Sequence, residues 1–134
     1  MSMATKAGLL GRWRIDRKIE NRIGPDAAFT GEGVFEPDAE GLIWRESGRL
    51  TTGGETLTAS RVYLWRFGPR VTVLYEEGAP FHDFDPAEPS ARHLCGEDVY
   101  EVAYAFTPPD RWRAEWRVTG PAKDYLMISE MTRL

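Results

Sequence analysis

Residues 61–67 read RVYLWRF. On an extended chain Arg61, Tyr63 and Trp65 point to one side, and Val62 and Leu64 to the other. A guanidinium and a phenol two residues apart on one face converge as hydrogen-bond donors. That is the chemistry of a cradle for a carboxylate or phosphate, with the guanidinium fork setting orientation. Trp65 adds stacking area beside them. The alternative is internal pairing, because Glu46 and Asp98 are available as carboxylate partners for Arg61. A buried guanidinium without either kind of partner would be too costly to keep.

A second group is His82, His93 and Cys95, with Asp83 or Asp98 near them in sequence. Two imidazoles and a thiolate suit zinc or another divalent metal, and one histidine suits haem. Their spacing matches no metal motif, and lumen carboxylates and tyrosines would satisfy both rings equally well. The third group is GPAKDY at 120–125. Lys123 and Tyr125 there, a His–Asp pair, or Glu46 with Asp98 would have the types for acid–base work. No nucleophile elbow, phosphate loop or paired-carboxylate motif accompanies them, and turn punctuation with a surface ion pair explains GPAKDY as well.

These residues must be positioned by strands, because the dominant period is two. GRWRIDRKI (11–19) alternates Trp13, Ile15, Arg17 and Ile19 against polar neighbours. Further strands are expected at 28–37, 41–50, 56–67, 70–77, 80–84, 91–95, 99–106, 111–118 and 124–133. Between them fall turn signals: Gly24-Pro25-Asp26, Pro37-Asp38, Gly53-Gly54, Gly68-Pro69, Pro108-Pro109-Asp110 and Gly120-Pro121. A helical turn is expected only around residues 4–10. Eight to ten short strands joined by hairpin-length connections predict an all-β fold, an up-and-down antiparallel barrel.

The 134 residues make one domain, and a hydrophobic content of 42% with 28% charged residues is that of a folded globular chain. A net charge of −4 with no basic cluster argues against nucleic acid as a partner. No segment has the length of a membrane span or of a secretory signal, and the single cysteine rules out an internal disulfide, so a cytoplasmic location is expected. Five tryptophans in so short a chain point to a lined cavity as well as a core.

Gly11-Arg12-Trp13 on the first strand resembles the Gly-x-Trp signature of lipocalins, and the whole chain resembles a calycin-type barrel, the superfamily of lipocalins and fatty-acid-binding proteins. That resemblance implies that Arg133 on the last strand stacks on Trp13. More closely, the series GRW, GLIWRESG, RVYLWR, PFHDFD, ARHLC, DVYEVAY and WRVTGPAKDY resembles a small bacterial family of unknown function, which implies the barrel and no activity. The Arg-x-Tyr pair is similar in chemistry, not in position, to one used by fatty-acid-binding proteins. With only ENRIGPDA between the first two strands, the helical lid of those proteins has no room here, and a more open mouth is expected.

In a small barrel the face rich in large amphipathic residues is the lumen candidate. The expected lumen holds Trp13, Arg17, Trp44, Glu46, Arg61, Tyr63, Trp65, Tyr75, His82 and Phe84. It continues with His93, Cys95, Asp98, Tyr100, Tyr104, Trp116, Tyr125 and Ser129. Trp13 and Trp116 are expected as plugs at one end, with Arg17 and Arg133 capping them. Cys95 is expected to be buried and slow to react. The resulting reading is a barrel that binds a small amphipathic or aromatic molecule with an anionic group. Arg61 and Tyr63 would orient the head, and Trp44, Trp65, Phe84, Tyr100 and Tyr104 would form the walls. Glu46, His82, His93, Asp98 and Tyr125 complete the expected binding set. No metal and no cofactor are assigned, and the chain is expected as a monomer or homodimer. The rivals are a small barrel enzyme or a metal- or haem-binding protein using His82 or His93, and a protein-interaction barrel with a filled lumen.

Overall fold

The computed structural model describes residues 2–134. One short helix, α1 (Lys6–Leu9), precedes ten strands: β1 (Gly11–Asn21), β2 (Ala27–Pro37), β3 (Gly41–Thr52), β4 (Glu55–Arg66), β5 (Val71–Tyr75), β6 (Pro80–Phe84), β7 (Ser90–Cys95), β8 (Asp98–Thr107), β9 (Arg111–Thr119) and β10 (Asp124–Arg133). All ten strands expected from the period of two are present, each within two residues of its expected bounds. Every sequence-adjacent pair except β6 and β7 forms an antiparallel ladder, and β1 pairs with β10. The sheet therefore curls into a nearly closed up-and-down barrel. At its seam β6 and β7 approach each other without a ladder.

The period of two is read directly as burial. On β1 the run Trp13, Ile15, Arg17, Ile19 faces inward, on β4 Arg61, Tyr63 and Trp65, and on β8 Asp98, Tyr100, Val102 and Tyr104. Large side chains need compensating gaps on facing strands. Gly33 of β2 supplies one, because a Cβ there would run into the Trp44 ring.

The meander gives the barrel two unlike ends. At the first, α1 and the chain termini close the lumen. Thr5 caps α1 by accepting from the Gly8 amide at 3.0 Å. Leu9 is fully buried, and its carbonyl accepts from Trp13 Nε1 at 2.9 Å. The Arg133 guanidinium lies 4.2 Å from the centre of the Trp13 ring and donates to the Gly8, Leu10 and Pro109 carbonyls. The expected arginine–tryptophan stack is thus present. Trp13's aromatic partner is Trp112, edge to face at 6.3 Å, not Trp116, which lies nearer the other end of the same strand. Arg17 does not cap this plug either; its guanidinium lies over Phe29 at 5.0 Å. At the second end, the hairpins at 22–26, 53–54, 76–79, 96–97 and 120–123 surround a mouth that no helix covers.

Candidate functional site

From the plugged end upward, the lumen passes through three layers. The lowest is an aromatic cluster in which Phe35, Trp44, Trp65 and Trp112 meet at centroid distances of 4.4–5.8 Å. Phe84 and Tyr104 pack beside them. Phe84 is wholly buried there and is not among the residues around the central cavity.

The middle layer is an ion pair in the lumen. Arg17 donates to both carboxylate oxygens of Glu46, at 2.8 and 2.9 Å, and its Nε donates to Ser129 Oγ at 2.6 Å. Trp44 Nε1 donates to the same carboxylate at 2.9 Å. Burial alone would push the Glu46 carboxyl up, but the Arg17 hydrogen bonds and charge, with help from Trp44 and Arg61, hold it below its ordinary value. Beside this pair, His82 of β6 is buried and shares a 2.8 Å hydrogen bond between Nε2 and Tyr104 Oη. Burial, with a smaller push from His93, lowers its pKa to about 4, so the ring is neutral at physiological pH. Burial likewise raises the Tyr104 phenol and keeps it protonated. His82 Nδ1 and Trp112 Nε1 are buried without hydrogen-bond partners, and both residues line the same central cavity. That cavity has about 30 Å³ of free space, the scale of one or two water molecules.

The upper layer forms the mouth. Tyr63 and Tyr75 stack on Phe81, at 5.9 and 4.9 Å, and Tyr100 and His93 meet its edge at 5.7 and 5.3 Å. Phe81 was missed by the alternation, which places it outside beside inward-facing His82 and Phe84. The β5–β6 register shifts where Val73 pairs with His82 and Leu74 with Pro80, so Phe81 is an extra residue in β6. This bulge turns both Phe81 and His82 inward. A single strand's period carries no sign of that extra residue. Trp112 was also missed, although it shares the parity of Trp116 on β9.

Arg61 stands at the boundary between the two upper layers. It is exposed, and its Nη1 donates to Tyr63 Oη at 3.2 Å. The internal pairing weighed for it is taken by others. Glu46, its register neighbour across β3–β4, is held bidentate by Arg17, and Asp98 pairs with Lys123 at 3.1 Å. Glu46 and Asp98 therefore do not form a carboxylate pair. Among the described residues, Arg61 is an inward-facing cation with no carboxylate within ion-pair distance. Beside it, toward the 53–54 hairpin, lies a recess of about 80 Å³ lined by Arg17, Ile19, Phe29, Glu46, Leu50, Ala59, Ser60 and Met127.

Of the expected binding residues, Arg61, Tyr63, Trp65, Trp44, Glu46, His82 and Tyr104 gather around the central cavity. Tyr100, His93, Asp98 and Tyr125 stand at the mouth, half-buried. His82, His93 and Cys95 do not converge: Phe81 contacts both imidazoles, at 4.4 and 5.3 Å, and no group of three or more metal-binding side chains forms among the described residues. Cys95 corrects the sequence reading. It has the inward parity on β7 but lies at the last position before the 96–97 turn, where the strand projects past the packed lumen, and it is exposed. The 120–123 turn is also more than punctuation. Lys123 donates to Tyr100 Oη at 3.0 Å, and Gly120 leaves room for the Asp98 carboxylate, which a Cβ there would displace.

No helix among the described residues is long and apolar enough to cross a membrane. No curated protein matches the sequence. Solved structures do match in fold. An S-type phycobiliprotein lyase from Guillardia theta aligns with 96% of this chain and 90% of its own, at 13% identity and a TM-score of 0.57. A protein of unknown function in the DUF3598 family, from Nostoc punctiforme PCC 73102, aligns over all of this chain and 51% of its own, at 14% identity and a TM-score of 0.54. EF1p2_mFAP2b, solved bound to DFHBI, aligns over the full length of both chains at 10% identity and a TM-score of 0.51. At such identities the likeness is one of fold. A family model matches residues 9–133, from the plug through the last strand, and by that match the chain belongs to DUF6314, a family of unknown function.

Proposed function

We propose that this barrel binds a small amphipathic or aromatic molecule carrying an anionic group, with the anion held by Arg61 and Tyr63 at the mouth. The observation that carries this reading is the inward-facing Arg61 with no carboxylate partner. Arg17, Arg61 and Glu46 together leave one uncompensated positive charge, which an anionic ligand would neutralise. Tyr63, accepting from Arg61, keeps its own O–H free to donate, so the pair offers two donors to a carboxylate. One structural neighbour carries a bound small molecule, DFHBI, and another is a lyase, which supports a ligand-handling role for this architecture.

The size of the free space sets how the ligand sits. Pockets for drug-sized molecules are typically hundreds of cubic ångströms. The central cavity and the recess beside Arg61, at about 30 and 80 Å³, take a head group and no more. The ligand body therefore lies at the mouth against Tyr63, Tyr100 and Tyr125, while Trp44, Trp65, Phe84 and Tyr104 form the packed floor beneath.

The solid aromatic packing of the lower lumen favours a second reading, a filled barrel that acts through its outer surface. Native mass spectrometry of freshly purified protein separates the two. A retained small molecule, or saturable binding of an anilinonaphthalene sulfonate, supports the ligand reading. A bare mass together with no probe binding supports the filled barrel. A retained metal would instead promote chemistry at His82 or His93.

A further inference from the structure

The Arg61–Tyr63 pair has a counterpart across the mouth. Lys123, in the hairpin between β9 and β10, donates to Tyr100 Oη at 3.0 Å and pairs with Asp98 at 3.1 Å. The two pairs are built alike, since in each a cationic N–H donates into a phenol oxygen. Each phenol thus keeps its own O–H to donate outward, and the Lys123 ammonium retains one of its three N–H bonds. The Tyr63 and Tyr100 rings both contact Phe81, at 5.9 and 5.7 Å, and Trp116, at 6.3 and 6.2 Å. Phe81 and Trp116 are buried beneath the mouth and so fix the separation of the two phenols.

The pairs differ in charge. Arg61 lacks a carboxylate, whereas Lys123 is neutralised by Asp98, whose side chain is 22% exposed. We propose that Lys123 and Tyr100 form a second subsite that binds an uncharged hydrogen-bond acceptor, such as a carbonyl, at the far end of an aromatic ligand whose anionic end is held by Arg61 and Tyr63. A second carboxylate at this subsite would lie against Asp98. The inference rests on the proposed anion binding at Arg61 and adds to it the class of molecule: a planar aromatic acid with a distal carbonyl.

The test is calorimetric titration of the full chain with 2-naphthoate, 6-acetyl-2-naphthoate and naphthalene-2,6-dicarboxylate. The acetyl compound is expected to bind wild type about tenfold more tightly than 2-naphthoate, the worth of a well-made hydrogen bond to a charged donor. Lys123→Met should erase that advantage with 2-naphthoate binding unchanged, and Tyr100→Phe, which keeps the ring against the ligand body, should reduce the ratio of the two affinities. Tyr100→Phe keeps the Lys123–Asp98 pair and so guards against a folding defect in the lysine variant. The dicarboxylate should bind no more tightly than 2-naphthoate. Equal affinities on wild type, an advantage that survives both substitutions, or a tenfold tighter dicarboxylate would each overturn the second subsite. Normal 2-naphthoate binding with no acetyl advantage overturns this subsite alone. Failure of all three to bind overturns the Arg61 reading with it.

Discussion

The two ends of the barrel use the same residue types to opposite effect. At the plugged end Arg133 lies on Trp13, and each of its donors ends on a main-chain carbonyl or near Asp110, so charge and ring are both consumed by the fold. At the mouth Arg61 lies beside Tyr63, yet its one side-chain hydrogen bond goes to that phenol, and no carboxylate answers it. The difference teaches that an arginine beside aromatics on an inner strand face is not in itself a site. What separates a structural arginine from a binding one is whether its donors are already satisfied.

Removing the plug should have the largest effect. Trp13→Ala empties a fully buried site and should cost about 5 kcal/mol, the upper end for such truncations, read as a lower urea midpoint. Arg17→Met should cost about 3–5 kcal/mol, because it leaves the Glu46 carboxylate buried without its cation. If instead Arg61→Met caused the larger loss of stability, the contrast between the ends would be reversed.

The middle layer sharpens the comparison through pH. His82 has a folded pKa of about 4 against an ordinary 6.5, so between those values the unfolded chain binds more protons than the native one. Stability from the neutral ring is complete above about pH 6.5 and is lost as pH falls toward 4, by about 3 kcal/mol in all. Glu46 acts in the same direction at lower pH, since its depressed carboxyl loses its contribution as it protonates. Urea unfolding at pH 7, 5.5 and 4 checks this, and in His82→Phe the slope above pH 5 should flatten.

At the mouth the effects fall on binding. Tyr63→Phe should weaken an anionic probe by about 0.5–1.5 kcal/mol, the worth of a neutral hydroxyl bond, with little change in stability. The smallest effect is expected at Cys95, where the exposed thiol should label rapidly with a bulky reagent and Cys95→Ser should shift stability by about 0.5 kcal/mol or less.

Alternation along each strand made the barrel legible, because inside and outside positions must alternate once the sheet closes. The same signal placed Arg61, Tyr63 and Trp65 on the inner face. It failed where the backbone departs from a regular ladder: the bulge that admits Phe81, and the strand end that carries Cys95 into solvent. Pairing was not legible either. Arg17, Arg61 and Glu46 all have inward parity, and parity alone does not say that Arg17 takes the carboxylate and leaves Arg61 without one.

Arg61→Met tests the central claim most directly, since it keeps much of the side chain's bulk and removes only the charge. An anilinonaphthalene sulfonate titration and a thermal melt should be run on the same preparation. The account predicts probe affinity weakened by about ten- to a hundredfold, or roughly 1.5–3 kcal/mol, with the melting temperature nearly unchanged. Unchanged probe binding with a collapsed melting temperature would make Arg61 a structural residue and contradict the account.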